Sequence, residues 1–481
     1  MTLDGISVQE AIDLAKKVVS EIEASDEQSL ALETLIVLAS IMKDRINLNS
    51  ANSGKPPSTD ETKGKGEGER PDKPASSGKP AGGQKGHKGT QLEFVDDPDE
   101  IIHLKVDESE IKNGNYTECG YVRRQVIDIK ISRHVIEYRA ATFKDESGHE
   151  ISAMFPGNVT RPVQYGVSVK AHSVYMSQYQ LVPYKRVAEH FNDNTNINIS
   201  TGSLYNFNQE AYDLLAPFQK WLIDQQCQAK VLNADETGIN INGKLHWLHS
   251  LSNDKTTYCH PDEKRGSTAM DAMEVLPYFK GILCHDHWKP YYKYACIHAL
   301  CNAHHIRELT RAYEQDDQKW AKKVEDLLKE INKAVHASDE GVLSEEDIKD
   351  YDSKYMAILE EGKKECPEKI VKKGASKKGR VKRTRPRNLL NRLIEFKEDA
   401  LRFCHDPDVP FTNNAAEREI RMTKVHQKIS GCFRSMAGAM IYCRIRSYIK
   451  TCQKNGIKPI EALKMLFEGE TPGFMKPLNS T

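Results

Sequence analysis

The stretch Lys230-Val-Leu-Asn-Ala-Asp235 decides the fold of this chain, because it is a short apolar run that ends in an acid. A second run, Gly281-Ile-Leu-Cys-His-Asp286, has the same form. Short apolar runs bounded by polar or turn residues are typical of buried strands. The sequence therefore predicts two buried strands, each of which carries an aspartate at its C-terminal end.

The segments around these runs complete a sheet. Leu245–Leu251 alternates as a strand after the turn-like Ile241–Lys244, and Thr256–His260 predicts a third strand. Met270–Phe279 has a helical pattern, and Ile297–Cys301 predicts a fifth strand. Three strands in hairpin order, followed by helix, strand, helix and strand, indicate a mixed α/β sheet rather than a sandwich.

Length and composition exclude several classes of protein. The 481 residues provide material for about three domains. The 69 basic and 69 acidic residues balance, which excludes a uniformly basic, histone-like binder. No run is apolar for the roughly 18 residues of a membrane span, and the N-terminus lacks an apolar signal core. We therefore expect a cytoplasmic protein without a membrane partner, whose eleven cysteines are reduced thiols.

The N-terminal third divides by composition. Residues 1–50 predict two amphipathic helices, a coiled-coil-like segment that either self-associates or docks on the main body. Residues 51–90 hold nine Gly, five Pro and seven Lys and predict a flexible linker. Residues 91–155 alternate in β fashion at Val126–Ile131 and His134–Tyr138, so we expect a small β-rich module there.

The next region, residues 160–226, is predicted to be helical. Its clearest helix runs from Ser203 to Trp221, and the turn that begins at Thr195 makes a helix-turn-helix DNA reader one interpretation. After Arg307 the chain is polar and helical, apart from a tract with nine basic and no acidic residues between Lys372 and Arg387. Such a tract either contacts DNA phosphates without sequence preference or is simply solvated.

Two strand-end carboxylates suggest chemistry. If the strands are neighbours, about 4.8 Å apart, Asp235 and Asp286 can share one or two divalent cations. Glu236 follows directly but points to the opposite face of the strand. Turn chemistry alone also explains an isolated aspartate at a strand end. The residues leave four candidates for a third carboxylate: Glu308, Asp316, Asp317 and Glu417.

The surroundings of Glu417 favour it as the third acid. Positions 417, 421, 424 and 428 share one helical face, and residues 418–458 hold ten Lys or Arg and one acid, Glu419. A row of cations beside a metal-binding acid suits a phosphodiester substrate. Two structural alternatives compete: a solvated helix face, and a capping box with Asn414 as the N-cap and Glu417 at N3.

Five motifs in order make the chain resemble a known family. They are Ala234-Asp-Glu-Thr237, Cys284-His-Asp-His-Trp-Lys-Pro-Tyr-Tyr292, Cys301–Arg307, Asn413–Arg421 and the linker signatures at Asn52–Ser58 and Gly82–Gly89. Together they resemble the insertion sequence 66 family of bacterial transposases, over nearly the whole chain.

The resemblance implies a ribonuclease H-like catalytic domain at residues 227–460, with a helical insertion at about 310–410 and a C-terminal tail at 461–481. It also implies a DNA-binding region at 160–226 and an Asp-Asp-Glu triad, Asp235, Asp286 and Glu417, that binds Mg²⁺, for which Mn²⁺ can substitute. The residues expected to contact DNA are Arg418, Arg421, Lys424, Lys428, His304 and Arg307.

The function that the resemblance implies is cleavage and strand transfer of DNA at the ends of an insertion sequence. The expected partners are double-stranded DNA (terminal inverted repeats and target DNA), further copies of the chain, and companion proteins of the same element, in the bacterial cytoplasm at the nucleoid. The alternatives are a catalytically silent, transposase-derived DNA-binding protein and a ribonuclease H-like nuclease without strand transfer.

Zinc is not expected. The family usually carries a cysteine-based zinc module after the linker, but only Cys119 precedes Cys227 here, so residues 91–155 are at most a degenerate zinc-finger-like module. Cys301-x-x-His304 has ligand-like spacing, in a region that also holds Cys284, His285, His287, Cys296 and His298. Burial of Cys284 and Cys301 in strands explains these cysteines more simply.

Overall fold

The computed structural model describes residues 92–106, 116, 119–368 and 383–476, and short N-terminal pieces at 2–3, 6–7, 13–15, 17, 31–32, 34–36 and 38–39. The pieces from 13 to 39 are helical, as predicted for the N-terminal segment. The predicted linker at 51–90, most of the basic tract and the last five residues lie outside the described residues. The chain divides into two compact units, residues 61–137 with 194–196, and the rest.

The smaller unit differs from the prediction. Its described residues, 92–106, 116, 119–137 and 194–196, contain no strand, so the strand predicted at Val126–Ile131 is wrong. Val126 is 92% exposed and Ile129 is 83% exposed. An alternating pattern needs a hydrogen-bonded neighbour to become a strand, and no neighbouring strand is present among these described residues.

The larger unit contains two short antiparallel hairpins. Strand β1 (Thr2–Leu3) pairs with β2 (Ile6–Ser7), and β3 (Thr142–Lys144) pairs with β4 (Glu150–Ser152). The strand predicted at His134–Tyr138 is also wrong, since these residues, like Val126–Ile131, form no strand. The β3–β4 hairpin is therefore the β structure that the described part of residues 91–155 contains.

Residues 160–226 are helical, as predicted. Helix α1 (Val167–Val174) continues as a π-helical turn at Tyr175–Tyr179, and the helices that follow are α2 (Tyr184–Thr195), α3 (Thr201–Leu214) and α4 (Ala216–Cys227). The Ser200 hydroxyl caps α3 by accepting a 3.0 Å hydrogen bond from the Ser203 amide. Helices α2 and α3 are thus joined by a short turn, but α3 carries no Lys or Arg.

A five-stranded mixed sheet lies at the centre, in the order β7-β6-β5-β8-β9. Its strands are β5 (Val231–Ile241), β6 (Lys244–Ser252), β7 (Thr257–Asp262), β8 (Ile282–His285) and β9 (Ile297–Leu300). Strands β5, β6 and β7 are antiparallel, and β8 and β9 run parallel to β5. All five strands were predicted. The helix predicted at Met270–Phe279 is displaced, since α5 spans Ser267–Ala272, and a 3₁₀ turn at Lys289–Lys293 precedes β9.

The two faces of the sheet contact different helices. Leu283 packs with α1–α4 and the C-terminal helices α12 (Met436–Lys454) and α13 (Pro459–Glu468). Its neighbours Ile282 and Cys284 point the other way and pack on helices inserted after β9.

The helices of the insertion are α6 (Asn302–Asp316), α7 (Lys319–Ala337), α8 (Glu345–Glu365), α9 (Arg385–Glu395) and α10 (Lys397–Leu401), with a 3₁₀ turn at Arg402–Cys404. Helix α11 (Asn414–Ser430) follows, and a 3₁₀ turn at Gly473–Met475 ends the described chain.

The edge strand β7 is covered by helix α12. The Thr451 hydroxyl accepts the Thr257 amide at 3.1 Å, and the Ser447 hydroxyl, four residues earlier, accepts the Cys259 amide at 2.9 Å. Residues four apart share a helix face, so two hydroxyls replace the hydrogen bonds of a missing strand. Among the described residues, no helix combines the length and hydropathy of a membrane span. All eleven cysteines are unpaired.

Gly281 sets the spacing between β5 and β8. A Cβ atom at this position would lie 2.5 Å from the carbonyl oxygen of Lys230 and 2.6 Å from that of Ala229. The clash is with backbone, so β8 would have to move away from β5. We expect Gly281→Ala to lower the free energy of unfolding by about 2–3 kcal/mol, measured by denaturant titration.

Gly157→Ala is the matched control, because nothing lies within 4 Å of a Cβ there. It is expected to change stability by less than about 1 kcal/mol. Equal stabilities of the two variants would show that β5 and β8 are not held this close.

Candidate active site

Strand register brings Asp235 and Asp286 side by side. In the parallel β5–β8 pair, Val231 lies beside Ile282 and Asn233 beside Cys284, so the same register places Asp235 next to Asp286. The prediction that Asp235 ends its strand is wrong: β5 runs on to Ile241, because β6 continues to pair with it. It is β8 that stops, at His285. Asp235 therefore lies in mid-strand, at the point where its parallel neighbour ends.

Glu236 has a different environment from Asp235. Its side chain is 1% exposed, and Arg265 donates to its Oε1 from Nη2 (2.6 Å) and Nε (3.0 Å). The Tyr291 hydroxyl donates to its Oε2 at 2.6 Å. Glu236 is thus fully engaged in contacts within the protein, which supports the choice of Asp235 as the acid of this pair.

Glu417 lies in the first turn of α11. The predicted capping box is wrong, since the N-cap is Asn413, one residue earlier than expected, and no side chain caps the helix. Glu417 is therefore not occupied by a structural hydrogen bond to its own helix N-terminus. Of the other candidates for a third acid, Glu308 pairs with Arg392, and Asp317 is the left-handed C-cap of α6.

Like charges meet at Asp235. Burial raises the pKa of Asp235 well above its usual value, and the negative charges of Glu236, Asp286 and Glu417 raise it further. The carboxylate oxygens of Asp235, Asp286 and Glu417 are not all within 4.8 Å of one another. The three acids are thus near enough for their charges to repel one another, although their oxygens do not all converge.

Glu417 also meets a second group of side chains, from α6. Arg307 donates to Glu417 Oε1 at 3.4 Å, and His304 Nδ1 lies 3.9 Å from the same oxygen. Ligand atoms of Cys301, His304 and Glu417 all lie within 4.8 Å of one another, which could hold a metal ion. Burial raises the pKa of the Cys301 thiol, which disfavours the thiolate that a metal requires.

The remaining histidines and cysteines near Cys301 make other contacts. His285 and His298 hydrogen-bond to each other at 3.1 Å, and the Tyr292 hydroxyl lies 2.9 Å from His287 Nδ1. Cys284 and Cys301 are buried, 0% and 1% exposed. Within the described residues, Cys301, His304 and Glu417 are the group whose donors converge.

The cations of the predicted row on α11 have different environments. Arg418 and Arg421 are exposed, and Lys428 is exposed as well. Lys424 donates to the carbonyl of Gly238 on β5, so in this structure it attaches α11 to the sheet. Arg421 and Lys428 lie on the same helical face as Lys424 and are exposed.

Two positioning residues were not predicted. Asn413 is fully buried. Its side-chain Nδ2 donates to the carbonyl of Ala234 at 2.7 Å, and its backbone N–H donates to Cys301 Sγ at 3.1 Å. It thus joins β5, α6 and α11, the elements around the acids. The motif Asn413–Arg421 contained it, but local sequence could not show which asparagine turns inward.

Arg265 is the second unpredicted residue. Its guanidinium lies between the rings of Trp247 and Trp288, 4.8 Å and 4.3 Å from their centroids, while it pairs with Glu236. The Trp288 amide in turn donates to Asp286 Oδ1 at 2.9 Å. Arg265 therefore supports the loop that carries Asp286, and no sequence motif marked it.

Comparison with known proteins agrees with this arrangement. The model of the Transposase IS66 family matches residues 162–441, more than half of the chain and all of the sheet and the three acids. A family of unknown function, DUF6444, matches residues 13–93, which cover most of the predicted N-terminal helices and the linker. No curated protein matches the chain. The chain belongs to the Transposase IS66 family and functions in DNA transposition.

Proposed function

We propose that this protein cleaves DNA phosphodiester bonds at the ends of its insertion sequence and joins them to target DNA, with Asp235, Asp286 and Glu417 as catalytic residues. The observation that supports the proposal is that the charges of Asp286, after β8, and of Glu417, on α11, both act on buried Asp235 of β5. Asp235 has a raised pKa, because burial and the neighbouring acids disfavour its charge. Acids held together at such a cost are typical of functional sites.

The donor set suits a hard divalent cation. Asp235 and Asp286 offer carboxylate oxygens and, in the described structure, have no cationic side chain within ion-pair distance. Carboxylate oxygens are the ligands that Mg²⁺ and Mn²⁺ prefer. These three acids would hold the cation or cations. When bound, such ions lower the pKa of an attacking water or 3′-hydroxyl and stabilise the leaving oxygen.

The protein's own groups do the positioning. Arg307 contacts Glu417, and its guanidinium can bind a phosphate oxygen beside this acid. Arg265 and Trp288 fix the loop after Asp286, and Asn413 fixes the entry to α11. Arg421 and Lys428 extend positive charge along α11, where they can bind the phosphates beyond the scissile bond.

We assign the sheet to the ribonuclease H-like type, on the support of its three antiparallel strands followed by two parallel ones and of the helices inserted before Glu417. The proposed partners are double-stranded DNA with terminal inverted repeats, target DNA, further copies of the chain and companion proteins of the element. The proposed location is the bacterial cytoplasm, at the nucleoid, and the proposed DNA-binding region is residues 160–226.

The direct test uses labelled DNA that carries the gene's own flanking ends, incubated with Mg²⁺ or Mn²⁺. Joined products are the expected result. Metal-dependent cutting without joining would favour a nuclease on the same fold. Binding without cutting, also in the presence of proteins encoded beside the gene, would favour a silent DNA-binding derivative.

Mg²⁺ is also expected to stabilise the folded protein without any DNA. A cation that binds only the folded state at about 100 times its Kd adds about 2.7 kcal/mol to the free energy of unfolding. We expect Tm to rise with Mg²⁺ concentration for the unaltered chain and to be insensitive to it in Asp235→Asn.

The same variant should have a higher Tm than the unaltered chain in EDTA, because asparagine removes a buried carboxylate that its neighbours repel. Asp213→Asn, on α3, is the control that should keep the response to Mg²⁺. A Tm that Mg²⁺ raises equally in Asp235→Asn would contradict the assignment of this acid as a ligand.

A further inference from the structure

A groove of about 380 Å³ lies between α6 and α9, beside the acids. It is lined on one side by α6, with His304, Arg307 and Arg311, and on the other by α9, with Arg385 and Arg392. Arg307 belongs both to this groove and to the site, since it also contacts Glu417 at 3.4 Å. The groove therefore starts at the candidate active site.

Three polar side-chain atoms that line this groove lack a hydrogen-bond partner. The Nε atoms of Arg311 and Arg392 and the Nδ1 atom of His304 are buried and have no hydrogen-bond partner among the described residues. His304 Nδ1 lies 3.9 Å from Glu417, beyond hydrogen-bond distance. Buried donors without acceptors are costly, and two guanidinium donors in one groove indicate a ligand that supplies the acceptors.

The charge of the groove defines that ligand. Four arginines line it against two acids, Glu308 and Asp316, and Glu308 is already paired with Arg392. The N-terminus of α9, an eleven-residue helix capped by Thr384, also opens onto it. A helix N-terminus and guanidinium groups both favour an anion with several acceptor oxygens, and phosphate matches this description.

We propose that the α6–α9 groove binds backbone phosphates of the DNA strand next to the scissile phosphate. The proposal rests on the proposed function for its choice of DNA over free phosphate. It assigns a DNA contact to Arg311, Arg385 and Arg392, and it gives the helical insertion a substrate-binding role. One strand bound here would pass Arg307 and enter the space between the three acids.

The test is binding of a duplex of roughly 20 bp, carrying the element's end, measured by fluorescence anisotropy in EDTA across a range of NaCl concentrations. The variant is Arg311→Gln with Arg385→Gln. If each arginine neutralises one phosphate, the slope of log K against log salt should fall by about 2. Lys333→Gln, an exposed cation of α7 outside the groove, should leave the slope unchanged.

Neutral phosphates locate the contact. A methylphosphonate beside the scissile phosphate should weaken binding by the unaltered chain and have little further effect on the double variant. Because no metal is present, these readouts are independent of cleavage. If the unaltered chain fails to cleave DNA but the double variant has the lower slope, the catalytic proposal is wrong and the groove still binds phosphates. If the unaltered chain cleaves DNA and the slope of the double variant is unchanged, the groove proposal is wrong.

Two further outcomes are decisive. If inorganic phosphate raises the Tm of the unaltered chain but not of the variant, while the DNA slope is unchanged, the groove binds free phosphate and the proposal is wrong. If the double variant melts at a lower temperature than the unaltered chain, Arg311→Gln alone is used, for which a slope change of about 1 is expected.

Discussion

Asp235→Asn, Asp286→Asn and Glu417→Gln are each expected to reduce metal-dependent DNA cleavage by about 10³-fold or more. Each replaces a carboxylate that we propose as a metal ligand by an amide of the same size. Loss of a metal position removes several kcal/mol of transition-state stabilisation, and each 1.36 kcal/mol is a factor of ten in rate. The measurement is single-turnover cleavage of end-carrying DNA in Mg²⁺.

DNA binding by these three variants should be retained. Each substitution replaces an acid at the proposed DNA-binding site by a neutral amide, so affinity in EDTA is expected to equal or exceed that of the unaltered chain. This combination separates loss of chemistry from loss of fold, which would reduce both.

Glu419→Gln is the matched control on the same helix. Glu419 lies two residues after Glu417 but turns to α12, where Lys450 and Lys454 each lie 3.8 Å from it. We expect its cleavage rate to stay within about a factor of ten of the unaltered chain, since its contacts are with α12 and not with the acids. Full activity of Glu417→Gln would overturn its assignment as the third acid.

The central sheet was predictable because its signals are local. Each of the five strands is marked by an apolar run or by alternation, and Asn242-Gly243 adopts positive φ at both residues, +49° and +80°, as a tight hairpin turn requires. The 51-residue spacing between Asp235 and Asp286 equals the offset of the β5–β8 register, 231 to 282. Strand ends, by contrast, depend on the partner, which is why β5 continues past Asp235.

Residues that act across long distances were not predictable. Whether Glu236 pairs with Arg265, 29 residues away, or whether Lys424 reaches Gly238, 186 residues away, depends on how helices lie on the sheet. The groove between α6 and α9 joins residues some 80 positions apart. The strands predicted near Val126 are wrong because a local alternating pattern is not sufficient. It was present there, but no partner strand lies beside it among the described residues.

Asn413→Ala is expected to reduce the cleavage rate by about 10²-fold, the usual effect of a misplacement of about 1 Å at a catalytic site. Its side chain holds the carbonyl of Ala234, which directly precedes Asp235, and its own backbone leads into the helix that carries Glu417. Without this bond, the strand and the helix lose their direct link at the acids. The loss of a buried hydrogen bond should also cost about 1–3 kcal/mol of stability.

Asn414→Ala separates this role from helix capping. Asn414 is exposed. If Asn413 positions the acids, Asn413→Ala should lose more activity than Asn414→Ala. If Asn414 instead capped the helix, Asn414→Ala should lose more. A positioning role at Asn413 predicts a lower kcat at an unchanged Kd for DNA, and a higher Mg²⁺ concentration for half-maximal rate, because the ligands are no longer held together. A purely structural role of Asn413 would lower Tm only. The protein that remains folded would keep its kcat and its Mg²⁺ concentration for half-maximal rate. A larger loss of activity in Asn414→Ala than in Asn413→Ala would refute the link between β5 and α11 on which this expectation depends.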